Sequence, residues 1–166
     1  MNKRIRQYIG LFLAILSYYV IHEGVHFLYA ICIGVFKQIN FMGLGIQVDV
    51  YSDKMNSIQM GVFCIVGSVA TVLTAYILVI MIPILLRSSS KVFKACMYYI
   101  TIAMLLIDPI YLSILYRFFG GGDMNGILLL IPEVAARIIY GGIFIVNIIL
   151  FFKVILPKYE RAFQSD

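Results

Sequence analysis

From Ile58 to Leu86 the chain runs 29 residues without a charged side chain. As a helix this stretch is about 44 Å long, more than the ~30 Å hydrocarbon core of a bilayer. It predicts a transmembrane span. Three further apolar runs reach spanning length, at about Tyr8 to Phe36, about Ala95 to Tyr116, and Ile127 to about Phe152. A chain that is 63 % hydrophobic with mean hydropathy +1.00 is not a water-soluble globule. The expected fold is an all-α integral membrane protein of about four transmembrane helices, forming a single domain over residues 1–166. Gly67, Ala70, Thr71, Thr74 and Ala75 give the second span a small-residue face for close helix contact.

The net charge of +5 comes from clusters that flank these runs. Lys3, Arg4 and Arg6 precede the first span, Arg87, Lys91 and Lys94 separate the second from the third, and Lys153, Lys158 and Arg161 follow the fourth. The positive-inside rule then predicts a multi-pass protein of the cell membrane with both termini cytoplasmic. Such charge speaks to lipid and topology and does not suggest nucleic acid. The segment Met1–Arg6 with its apolar continuation has the outline of a signal peptide, but the run is too long and lacks a small-residue cleavage site, so it is expected to be retained. Cys32, Cys64 and Cys96 fall in or beside predicted spans and are expected to pack as small apolar residues.

The first span carries His22-Glu23-Gly24-Val25-His26, with the only two histidines of the chain. Four residues apart on a helix, two imidazoles project from one face and suit one zinc ion, with Glu23 as a candidate general base. Gly24 leaves room for a backbone, a substrate or simple packing. After the span, Gly45 to Tyr51 alternates, with Ile46, Val48 and Val50 on one face and Gln47 and Asp49 on the other. That pattern predicts a strand or small hairpin at the membrane surface, with Gly43 and Gly45 at bends. Its edge could accept an extended peptide; a surface loop capping the bundle is the other reading.

A catalytic zinc takes three protein ligands and leaves one position open. With no third histidine, the ligand is expected to be a carboxylate. Glu160 and Asp166 belong to the tail, and Asp49 and Asp53 to the surface segment. Asp123 follows three glycines at the expected start of the fourth span, where the backbone can bend inward; it could equally be a helix N-cap. Asp108, beside Pro109, could be a ligand or orient one by hydrogen bonding. Glu133 has a ready partner in Arg137, four residues on. The order of preference is Asp123, Asp108, Glu133.

These features resemble the site-2 protease family of intramembrane zinc metallopeptidases. The His22–His26 motif matches the family's zinc motif in full, and the segment Phe41–Val48 occupies the place of its glycine-bearing membrane strands. Val66-Gly67-Ser68-Val69 stands where members show Ala-Gly-Pro, with the glycine shared. Asp108-Pro109 and Gly122-Asp123-Met124-Asn125-Gly126 look like divergent counterparts of the family's Asn-Pro and Leu-Asp-Gly stretches. The resemblance implies one Zn2+ per chain held by His22, His26 and Asp123, with Asp108 near the site. It implies hydrolysis of a membrane protein or peptide substrate. A catalytically inert membrane protein that keeps a metal site, as a partner or immunity factor, is the alternative. A small metal transporter would want more polar residues along the second and third spans.

Overall fold

The structure, a computed structural model, describes residues 2–42, 45–120 and 122–164. Helix α1 (Lys3–Cys32) leads into a hairpin of β1 (Phe36–Met42) and β2 (Gly45–Val50). Helix α2 (Ser57–Leu85) follows, then α3 (Lys91–Phe119), a short α4 (Gly122–Ile127) and α5 (Glu133–Gln164). The four long helices are each long and apolar enough to cross a membrane. The all-α membrane architecture with a small sheet after the first helix is therefore the one expected.

Helix starts are set by side chains that take up free backbone donors. Asn2 caps α1 through Arg4 N (3.1 Å), and Ser90 caps α3 through Phe93 N (3.2 Å). Asn56 and Gln59 form a reciprocal capping box on α2, at 2.8 and 3.0 Å. Several boundaries differ from expectation: α1 starts at Lys3 rather than near Tyr8, and α5 runs on to Gln164 past the expected end near Phe152. The first span was expected to reach Phe36, but Gly34 turns to φ 73°, so the helix closes after Cys32 and Phe36 opens β1. The fourth was expected to start at Ile127. Pro132 disfavours helical backbone at Ile131, so α4 stops at Ile127 and α5 starts at Glu133.

The strands pair antiparallel, with Ile39 opposite Val48 and a bulge between Phe36 and Gln38. Val48 is buried while Gln47 is exposed, as the alternation predicts. The expected bend at Gly43 and the tail residue Asp166 lie outside the described residues. Lys37 and Asp49 brace the hairpin at 2.9 Å. The ammonium's hydrogen bond holds the Asp49 carboxyl below its ordinary range. This brace is present above the usual carboxylate pKa and is lost as pH falls through the lowered one.

Helix α1 packs against α2 and α3, α2 against α3 and α4, and α3 against α5. Exposed Leu11, Phe12, Ile77, Ile80, Ile138 and Ile145 form the outer surface that a bilayer would cover. One buried cluster gathers Val48, Phe63, Cys64, Leu112, Met124 and Tyr140 around the hairpin end; another joins Ala75, Ile82, Met104, Leu105 and Tyr159 at the opposite end. Cys64 and Cys96 are buried as expected, whereas Cys32 is exposed.

Pro109 lies inside α3 and leaves the carbonyl of Leu105 without its intrahelical donor. Asn147 from α5 supplies it, donating Nδ2 to Leu105 O at 2.6 Å, and accepts from the Tyr76 hydroxyl at 2.9 Å. Beyond the proline the helix widens into a π turn at Tyr111–Leu115, and Arg137 Nε donates to Ser113 O at 3.0 Å. Broken backbone is tolerated inside an apolar bundle only when its groups are satisfied in this way. Asn147→Leu is expected to destabilise the fold by about 1–2 kcal/mol, read as earlier unfolding of the purified protein in a denaturant titration.

Candidate metal centre

The two motif histidines lie on the inward face of α1, His22 at 7 % and His26 at 2 % exposure. Their Nε2 atoms are 3.2 Å apart. Asp123, on α4 and about a hundred residues away in sequence, brings Oδ2 to 3.0 Å from His22 Nε2 and 3.5 Å from His26 Nε2. Gly120 makes this delivery possible. It ends α3 at φ 97°, a conformation that favours glycine, and the chain re-enters as α4 packed on α2.

Asp108 meets the other edge of the His22 ring, with Oδ2 at 3.3 Å from Nδ1. The same carboxylate accepts from the Tyr18 hydroxyl at 2.5 Å and from the Thr71 hydroxyl. Three donors suit an ionised carboxylate, which can only accept, so the His22 Nδ1–H is the donor and Nε2 carries a lone pair. That lone pair faces a carboxylate oxygen and a second imidazole nitrogen.

Three acceptors at 3.0, 3.2 and 3.5 Å from one another repel unless a cation or proton lies between them. Tetrahedral zinc with bonds of about 2.0–2.1 Å spans ligand–ligand edges of about 3.3 Å, so the donor set fits such an ion in both chemistry and size. His26 is held differently. Its Nδ1 is buried without a hydrogen-bond partner among the described residues, and its ring packs on Phe63 with centroids 4.7 Å apart.

Glu23 completes the group, its carboxylate within 4.8 Å of the imidazole donors. One oxygen, Oε2, accepts from the backbone N–H of Val48 at 2.9 Å, so the hairpin fixes the side chain. Glu133 lies elsewhere, with Tyr116, Arg117 and Arg137 as partners. Apart from its own helix turn, no atom of the described residues lies within 4 Å of where a Gly24 Cβ would be, so no described neighbour packs against Gly24 there.

Sequence reasoning missed Tyr18 and Phe63, and took Thr71 only as a packing residue. Tyr18 had a signal in its spacing, four residues before His22 on the same helix face. Phe63 had none. Gly67 matters more than any pattern suggested: a Cβ there would press on His26 Nε2 and come within 2.8 Å of His22 Cε1. Its hydrogen is what lets α2 lie against both imidazoles.

Comparison with known proteins finds no matching family model, no similar curated protein and no similar solved structure.

Gly67→Ala is expected to displace both rings and weaken metal binding at least tenfold while leaving the helices intact. Zinc titration against a competing chelator, beside circular dichroism, checks both parts.

Proposed function

We propose that this chain is an intramembrane zinc metallopeptidase that hydrolyses peptide bonds of membrane-associated proteins or peptides. The observation that carries the reading is the convergence of His22, His26 and Asp123 on one point beside Glu23, inside an apolar bundle. The resemblance of the His22–His26 and Asp123 motifs to the site-2 proteases supports it. So does the electrostatic argument, because intramembrane ionisable groups without a role are rare.

His22, His26 and Asp123 would hold the ion. Zinc in such a site supplies a water of lowered pKa and polarises a scissile carbonyl. Glu23, whose Oε2 is held by the Val48 N–H, would take a proton from the attacking water and return it to the leaving amine. Asp108, Tyr18 and Thr71 hold the His22 ring in the tautomer that leaves Nε2 free. The hydrocarbon-facing helices keep bulk water away, which strengthens every charge interaction in the site. By the positive-inside rule both termini are cytoplasmic and the hairpin lies at the opposite face.

Metal content of detergent-purified protein tests the ligands. One zinc per chain is expected in wild type, lost in His22→Ala and Asp123→Ala, and bound about 10–100-fold more weakly in Asp108→Asn. Full occupancy in Asp123→Ala would remove that residue from the ligand set.

The chemistry is tested by Glu23→Gln, which is expected to keep the metal and lower cleavage of a co-expressed membrane substrate by about 10²–10⁴-fold. Bound zinc with no effect of Glu23→Gln on substrate levels would favour an inert protein that keeps a metal site.

A further inference from the structure

A cavity of about 630 Å³ lies at the end of the bundle away from the histidines. The first turns of α1 form one wall with Lys3, Arg6 and Gln7. Tyr98 and Tyr99 on α3 form the second, and the last turns of α5, with Glu160 and Gln164, form the third. Its size is that of a small-molecule pocket.

Three features define what fits. Among the described residues, the ion pairs do not include Lys3 or Arg6, so both cations are available to an anion. The hydroxyls of Tyr98 and Tyr99 make no hydrogen bond with described residues, which leaves two donors on the opposite wall. The third feature is a single carboxylate, Glu160, on the same lining.

Two cations against one anion leave the cavity lining with one positive charge in excess. A phosphodiester, with one negative charge, balances it; a dianionic phosphomonoester overshoots and meets repulsion from Glu160. Glu160 and the amides of Gln7 and Gln164 further suit a ligand that carries hydroxyl groups. The cavity also sits at the end where the basic clusters of the N-terminus, the α2–α3 turn and the C-terminal helix meet. Anionic headgroups concentrate at such an end.

We propose that this cavity binds a phosphate-bearing anion, supplied by the hydroxylated phosphodiester headgroup of an anionic phospholipid of the phosphatidylglycerol type. Lys3 and Arg6 hold the phosphate, the tyrosine hydroxyls donate to its free oxygens, and Glu160 accepts from the headgroup hydroxyls. Acyl chains then run along the exposed apolar faces of α1 and α3. The site is separate from the metal centre, and its occupancy ties the ends of three helices together.

The test uses the full chain reconstituted in vesicles of equimolar phosphatidylglycerol and phosphatidylcholine, extracted and weighed with its bound lipid by native mass spectrometry. Wild type is expected to retain phosphatidylglycerol over phosphatidylcholine. The preference should fall about fivefold for each of Lys3→Gln and Arg6→Gln, and be kept in Arg87→Gln, a cation of the same end outside the cavity.

A second arm adds inorganic phosphate alone to lipid-depleted protein and follows thermal unfolding. Stabilisation of wild type but not of the double variant, without lipid preference, would uphold the anion site and assign it to a soluble phosphate. Neither lipid preference nor phosphate stabilisation in wild type would overturn the proposal, as would an Arg87→Gln loss equal to that of Arg6→Gln.

Discussion

Ionisable side chains buried in an apolar bundle must act as one another's solvent. Asp108 meets this constraint by accepting from His22 Nδ1, Tyr18 and Thr71, and Glu23 by accepting from the Val48 amide, while Asp123 faces the Nε2 atoms of His22 and His26 across the point a cation would fill. Much of the architecture follows from bringing them within reach. Helix α1 supplies the histidines, α2 approaches through Gly67, and α3 reaches inward with Asp108. The chain then doubles back after Gly120 to insert Asp123. Of the three converging donors the Asp123 side chain is the most exposed, at 21 % against 9 % for His22 and 2 % for His26.

The coarse design was legible in the sequence because its signals are strong and local. Four apolar runs, the His22–His26 spacing and the alternation from Ile46 to Val50 each reflect a geometric period that tertiary structure did not override. Elimination narrowed the candidate third ligand to Asp123, Asp108 and Glu133 because so few acidic residues exist in this chain. Element ends were harder. The apolar run beyond Cys32 reads as span, yet the φ of Gly34 turns the chain, and a contribution from one residue outweighs the hydropathy of its neighbours.

Contacts between distant segments were not legible. Nothing in α5 announces that Asn147 replaces the donor lost at Pro109, because a lone buried amide has no period and its partner is forty-two residues away. Phe63 beside His26 reads as one more apolar residue in an apolar helix. Thr71 looked like part of a small-residue face, and it is, but its hydroxyl also turns that face toward Asp108. A residue that packs and also donates a proton leaves only the first role visible in composition.

The hydrogen bond from Val48 to Glu23 makes the surface hairpin and the buried carboxylate one mechanical unit. The outward amide of Val50 is likewise engaged, by Asp49 Oδ1 at 3.0 Å, so carboxylates occupy two successive donors along β2. Removing the Glu23 side chain outright therefore does more than delete a proton acceptor. It strips the strand of its anchor to α1 and exposes an unpaired amide at a sheet edge, where other chains can add. Alanine and glutamine at this position are not equivalent ways to silence the protein: one unmoors the hairpin, and the other keeps an oxygen for Val48 to hold.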